Sequence, residues 1–445
     1  MFRRSPHDAE ILRLAVPALG ALIAEPLYVL TDTAIVGHLG TDELAGVAIA
    51  GAVLLTVHAL LIFLAYGTTG LVGRKLGAGD IQGAAVQGVQ ALWLAVVLGI
   101  GTSVGLALTG DSLVDLFQPT PAVREAALTY LNLSLFGLTS LLLVLAGTGY
   151  LRGQQDTRTP LVVALGSALA NLVIELVFVY PLGLGVAGSA WSTVIAQTGA
   201  AIIYLFVIGR SAGGVGASLC PHLQSLLVYA GVGARLMVRT AALRGSLLLA
   251  AALASRIGTT AVASHQISME IWGLLALALD AVAIAGQALV ARLLGAGDAT
   301  VARQASQRMI ELSVMVGSVF GLLVLIARVW LPAIFSSDPE VQSLTAFLLL
   351  FVALMQPMNG VVFALDGILI GAGDLTFLAK AMVIAFAAFV VAALAARWAD
   401  FGIGWLWAAI WVFMIARAIP LWRRFQTGKW ATIAHSADSS GHTGP

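Results

Sequence analysis

Twelve stretches of this chain are predominantly apolar over twenty residues or more, which removes nearly every soluble architecture. They run over residues 12–37, 44–73, 84–109, 122–149, 160–180, 186–209, 225–256, 260–291, 304–328, 341–370, 376–397 and 402–422. A helix rises ~1.5 Å per residue, so about 20 residues cross the ~30 Å hydrocarbon core of a bilayer. Composition agrees: 60% of the residues are hydrophobic and 10% charged, where a soluble globule carries roughly 25% charge to keep its surface wet. A formal net charge of +1 gives no electrostatic basis for binding nucleic acid. Cys220 is the single cysteine, which excludes an intrachain disulfide. The first apolar run is too long for a cleaved signal peptide and lacks a small-residue cleavage site.

The basic residues between the runs and near their ends set an orientation. Sixteen Lys and Arg residues, including Arg3, Arg4, Arg74, Lys75, Arg152, Arg292 and Arg417, fall on one side, against four (Arg124, Arg256, Arg328, Arg397) on the other. The positive-inside rule puts both termini in the cytoplasm of a cell membrane. Residues 425–445 read as a polar, disordered tail.

An internal repeat organises the rest. Leu71-Val-Gly-Arg-Lys-Leu-Gly-Ala-Gly-Asp80 matches Leu289-Val-Ala-Arg-Leu-Leu-Gly-Ala-Gly-Asp298 at eight of ten positions, setting Asp298 as the counterpart of Asp80. The same offset pairs Gly40 with Gly258, Phe117 with Phe335, Pro121 with Pro339, Gly149 with Gly367, Gly153 with Gly371 and Asp156 with Asp374. An even number of spans separates the copies, so the repeats are parallel. The expected fold is all-α and membrane-embedded: twelve transmembrane helices in two six-helix bundles around a central cleft, a layout suited to alternating access. Residues 1–209 form the first bundle, 210–224 a glycine-containing cytoplasmic linker, and 225–424 the second bundle.

Ionisable residues inside membrane helices are costly and mark function by default. Asp32 lies about 8 Å from the outer end of the first span and Glu175 about 9 Å from that of the fifth. Thr193 of the sixth span lies about 10 Å deep. One turn from the two acids, on the same faces, come Tyr28 and Asn171. These five residues share one slab, either as a structural hydrogen-bond cluster or as a cation or proton site, since adjoining carboxylates in low dielectric hold a proton more tightly. The repeat counterpart of Asp32 is Ala250, so the second half does not repeat the acid. That half carries Arg235, Arg239 and Arg244 in the seventh span, Glu270 and Asp280 in the eighth, and Asp366 in the tenth. Arg239 and Asp280 are candidates for a structural ion pair or for a gate or substrate contact. Glu25 is either a lumen-facing group or a partner of the kink at Pro26. Pro17 and Pro26 each remove a backbone hydrogen bond from the first span and are its expected kinks. His58 and His265 read as packed hydrogen-bonding residues.

Two short motifs are distractions. Gly183-Leu-Gly-Val-Ala-Gly188 has dinucleotide spacing but no preceding strand, and Gly101-Thr-Ser-Val-Gly105 lies within a helix rather than at a nucleophile elbow. No HExxH motif or phosphate-binding loop occurs, so no metal, cofactor or ATP-driven chemistry is expected.

Pro17 with Asp32, followed by Thr33-Ala-Ile-Val-Gly-His-Leu-Gly40, resembles the first helix of the multidrug and toxic compound extrusion (MATE) family. The paired Gly-Ala-Gly-Asp turns, Arg152-Gly-Gln-Gln-Asp-Thr-Arg-Thr-Pro160 and Gly185-Val-Ala-Gly-Ser-Ala190 extend the resemblance to about residue 424, and it is closest to the DinF-type branch. The resemblance implies export of small organic molecules driven by H⁺ or Na⁺, with Tyr28, Asp32, Asn171, Glu175 and Thr193 as the ion-coupling set. Position 175 departs from that pattern, carrying glutamate where such relatives have aspartate. The seventh span departs from the NorM-like branch, carrying arginines in place of an acid. A lipid-linked precursor flippase is the nearest alternative, and a membrane-embedded enzyme or channel a more distant one. The expected partners are a small organic substrate, the coupling ion and the lipid bilayer, with the chain acting as a monomer.

Overall fold

Hydrocarbon offers no water to a peptide group, so each N–H and C=O of a spanning segment must find its partner within the segment. The apolar runs accordingly resolve as helices. The computed structural model describes residues 6–398 and 402–431, which form helix and no strand. The order is α1 (Pro6–Gly37), α2 (Thr41–Leu61), α3 (Phe63–Gly77), α4 (Ile81–Asp115), α5 (Pro121–Gly153), α6 (Arg158–Val179), α7 (Gly185–Gly214), α8 (Leu223–Ile257), α9 (Thr259–Gly295), α10 (Ala299–Ala327), α11 (Pro339–Ala372), α12 (Leu375–Trp398) and α13 (Ile403–Gln426). Helices α2 and α3 form one span. Among the described residues twelve helices are long and apolar enough to cross a membrane, and the chain is a multi-pass membrane protein. Most run a turn or more past the apolar stretches; α4 extends over Ile81–Asp115, because a helix continues into the headgroup region where its polar ends meet water. Large side chains stepping three or four residues along one helix face, such as Val97, Ile100, Val104 and Leu108 on α4, are exposed and suit lipid.

The chain divides into two compact units. One, the N-unit, is Val16–Gly233; the other, the C-unit, is Ala234 onward together with the described residues before Val16. These boundaries differ from the expected 209/225 division. They fall inside α1 and α8, so each of those helices contributes to both units. The expected linker is also shorter: α7 continues through Gly213 and Gly214, and the non-helical connection is residues 215–222. Helix α1 runs unbroken through Pro17 and Pro26. Arg3, Arg4 and most of the expected disordered tail lie outside the described residues. The start of that tail is a correction: α13 extends to Gln426, and Trp430 is fully buried with its ring stacked on Phe425, centroids 5.6 Å apart. Burial of two aromatic rings outweighs the polarity of the residues around them.

Within the N-unit α5 packs against α2, α3, α4 and α7, and within the C-unit α11 packs against α9, α10 and α13. The repeated glycines explain the parallel. A Cβ on Gly149 would come within 2.5 Å of Ala65 O, and one on Gly367 would overlap Ala283 O. Those two carbonyls are themselves equivalent positions of the repeat. Gly153 against Thr69 O and Gly371 against Gln287 O repeat the pattern one turn on. Small residues let membrane helices approach to backbone contact, where dispersion replaces the missing hydrophobic drive. The Gly-Ala-Gly-Asp turns have a different reason: Gly79 and Gly297 have φ of +76° and +80°, a left-handed conformation that glycine adopts without a Cβ clash. Asp80 then caps α4, accepting from Gly83 N–H at 2.7 Å, which with the nearby Lys75 holds its carboxyl below the usual carboxylate range.

Gly149→Ala and Gly367→Ala are each expected to cost about 1–3 kcal/mol by overpacking, seen as a lower Tm of the purified protein. Gly101→Ala and Gly199→Ala, where a Cβ meets open space, should hold or slightly raise Tm, since alanine is the better helix former.

Candidate functional site

The five N-unit residues come from three helices whose ends lie where the apolar runs place them. Helix α1 ends at Gly37, α6 at Val179, and α7 begins at Gly185, which brings Asp32, Glu175 and Thr193 to matching depths. The hydroxyl of Tyr28 meets Thr193 Oγ1 at 2.5 Å. Thr193 Oγ1 in turn lies 3.2 Å from Ser189 O, to which it can only donate, so the Tyr28 hydroxyl donates to Thr193. Asn171 Nδ2 donates to Glu175 Oε2 at 3.3 Å, the i,i+4 contact that helical stepping implies. The carboxyls of Asp32 and Glu175 lie close enough to act directly on each other. Glu175 is fully buried, Asn171 2% exposed and Asp32 7% exposed.

Two residues outside the sequence-derived set complete the cluster. Ser189 donates to Asp32 Oδ1 at 2.6 Å and is fully buried. It lies one turn before Thr193 in Gly185-Val-Ala-Gly-Ser-Ala190, so the i−4 stepping that found Tyr28 and Asn171 would also have found it. Tyr130 of α5 places its hydroxyl against those of Thr193 and Ser189; nothing in its apolar surroundings marks it in the sequence. Two buried atoms of the cluster, Glu175 Oε1 and Asn171 Oδ1, accept no hydrogen bond from any protein donor. Both are acceptors. The hydroxyl and amide donors of the cluster are spent on other atoms, and a cation would answer both acceptors at once.

The C-unit is built on the opposite principle. Arg239 Nη2 and Arg417 Nη2 both donate to Asp366 Oδ2, at 2.5 and 2.7 Å. All three side chains are at most 12% exposed. Arg417 also lies over the Phe413 ring, 5.5 Å from its centroid. Arg417, expected with the charges at the membrane surface, is instead buried in α13, held by a carboxylate on α11. Asp280, half-buried on α9, and Arg239 were candidates to pair. The partner identified for Arg239 is Asp366. Glu25 is more than half exposed and lies 3.8 Å from His58 Nε2, so the cluster around Asp32 does not include it. At positions equivalent to Asn171 and Glu175 in the repeat stand Phe389 and Ala393, both fully buried or nearly so. The C-unit thus has aromatic and aliphatic packing where the N-unit has its acid.

A family model described as MatE matches residues 17–177 and again residues 236–396. The chain belongs to the MatE family. The two matches follow the internal repeat, one to each half. MatE chains are membrane transporters rather than enzymes. Among curated relatives, the chain is 32% identical to the chloroplastic Protein DETOXIFICATION 44 of Arabidopsis thaliana, over 95% of this chain and 84% of that one. It is 28% identical to the DNA damage-inducible protein F of Escherichia coli, over 95% and 94% of the two chains. A solved MOP superfamily transporter from Pyrococcus furiosus superposes with a TM-score of 0.86 at 19% identity, covering 97% of each chain. This last likeness shows that the two chains share a fold.

Asp366→Asn removes the charge that two buried guanidiniums share. It is expected to cost about 3–5 kcal/mol, measured as a lower Tm in detergent, with Arg417→Met milder because it removes a charge rather than stranding one.

Proposed function

We propose that this MatE transporter exports small organic molecules in exchange for H⁺ or Na⁺ by alternating access, with Asp32, Glu175, Asn171, Tyr28 and Thr193 as its ion-coupling site. The observation that carries the reading is the pair of buried acceptors, Glu175 Oε1 and Asn171 Oδ1, beside a second carboxyl at Asp32. Two adjoining buried carboxyls cannot both stay ionised without a counter-cation. A proton on one of them, or a sodium ion held by the oxygens of the cluster, meets that requirement and leaves when the site opens to water. Binding and release are then tied to the conformation of α1, which carries both Tyr28 and Asp32. Glutamate at 175 reaches one methylene further than aspartate, which suits bringing its carboxyl up to Asp32 from α6. In the C-unit, both Arg239 and Arg417 engage Asp366, which favours the N-unit as the seat of coupling. The reading places the protein in a cell membrane with both termini in the cytoplasm. It acts as a monomer, supported by both repeats being present in one chain.

Flux of a cationic dye in proteoliposomes under imposed pH or sodium gradients tests the proposal. Asp32→Asn is expected to reduce gradient-driven flux by about tenfold or more, with binding of the protein to lipid unchanged. Ser189→Ala should keep transport but raise the ion concentration for half-maximal flux by about tenfold, since a hydrogen bond to a charged group contributes ~1.5–3 kcal/mol. Wild-type flux matched by Asp32→Asn under both gradients would sink the assignment.

A further inference from the structure

The unit boundaries at 15/16 and 233/234 are equivalent positions of the internal repeat. Each half therefore begins with a short helical segment that belongs to the other unit. Each segment, or the chain leading into it, is fastened there, and the gripping residues stand at equivalent positions of the repeat. In the C-unit, Arg308 of α10 grips Asp8 at the start of α1: Nε donates to Oδ1 at 2.6 Å and Nη2 to Oδ2 at 2.9 Å. Glu311, one turn on, accepts from Arg308 Nη1 at 2.8 Å. Below this fork Ile11 and Leu14 are 1% exposed, and Leu14 and Ala15 pack on Ala285.

The first-half counterpart of Arg308 is Gln90 of α4, and that of Glu311 is Trp93. These two positions hold the chain that enters α8. The buried Gln90 amide accepts from His222 N–H at 2.8 Å and donates to Cys220 O at 2.9 Å, with His222 Nδ1 at 3.2 Å from the same nitrogen. Trp93 Nε1 donates to Leu219 O at 2.9 Å. The first turns of α8 follow into the N-unit, where Tyr229 donates to Gln87 O at 2.8 Å and is 1% exposed. One device is ionic and the other an amide clip, yet they occupy the same two steps of the same helix in each repeat.

Just past each fastened segment the helix is weakened. Pro17 removes the hydrogen bond to the carbonyl of Arg13. Gly231 and Gly233 precede the α8 crossing, and glycine is a poor helix former. We propose that Arg308 with Asp8, and Gln90 with His222, are paired clasps that stay closed throughout the transport cycle. They make Ala15–Pro17 and Gly231–Ala234 the hinges at which α1 and α8 bend. Arg308 and Gln90 are thus positioning residues for transport, far along the chain from the ion cluster. This rests on the alternating-access reading given under Proposed function.

The single cysteine makes the test clean. In a Cys220→Ser background, Asp8→Cys/Arg308→Cys and Gln90→Cys/His222→Cys are joined by a reductant-cleavable bifunctional thiol reagent long enough to replace the removed side chains, the cross-link is verified by mass, and flux is assayed in proteoliposomes. Closed clasps predict flux within about twofold of the uncross-linked protein. Flux abolished by cross-linking and restored by reductant overturns the proposal. Arg308→Gln should lower maximal flux about fivefold without moving the half-saturating substrate concentration, and Asp8→Arg/Arg308→Asp should restore it; wild-type flux in Arg308→Gln also overturns it. Amide hydrogen exchange separates this proposal from the functional reading. Arg308→Gln should speed exchange over residues 8–16 and leave α6 unchanged. That result in a protein that moves no substrate refutes the exporter reading and leaves the clasp standing, whereas unchanged exchange over 8–16 refutes the clasp.

Discussion

The absence of water inside the bilayer governs every other feature of this molecule. A peptide group in hydrocarbon must be satisfied by its own helix, which makes the twelve spans helical before any side chain is considered. The same absence removes the hydrophobic force between helices, so assembly depends on how closely backbones approach. The matched contacts of Gly149 with Ala65 O and Gly367 with Ala283 O are where the chain meets that requirement, and they recur because each half solves the same packing problem.

Against that apolar background a polar group must have a partner or a purpose. The two units answer differently. The C-unit surrounds Asp366 with two guanidiniums and places Phe389 and Ala393 where the other half has Asn171 and Glu175. The N-unit gathers carboxyls, an amide and hydroxyls, and among the described residues no basic side chain is a hydrogen-bond partner of Asp32 or Glu175. The halves share a fold and divide the electrostatics. A duplicated bundle in which one copy gives its buried acid two guanidiniums and the other gathers two carboxyls fits a transporter with a single coupling site.

Much of this was legible in the sequence because membrane helices are governed by length and period. The spans followed from apolar run length, the repeat from one constant offset, and the contact between Asn171 and Glu175 from helical stepping alone. Ser189 was within reach of the same stepping and escaped notice because serine is common in such helices. The burial of Arg417 was hidden because the residue lies near the end of the last apolar run, where a basic group also suits an exposed helix end, and its partner Asp366 lies 51 residues away on another helix. The unit boundaries inside α1 and α8 were invisible, since a helix that passes between packing environments keeps one periodicity throughout. The ordered turn around Trp430 was hidden for a related reason: two aromatic rings in a polar segment decide its fate, and composition averages them away.

If the Asp32–Glu175 pair holds the coupling cation, substrate binding should displace it, and counting ions reads this without a flux assay: protons or sodium ions released per chain when substrate is added to weakly buffered, purified protein, for wild type and Glu175→Gln. Release on the order of one cation per chain is expected from wild type and none from the variant, with substrate still binding to both. Equal release from the two proteins would contradict that assignment and move the coupling site elsewhere in the chain.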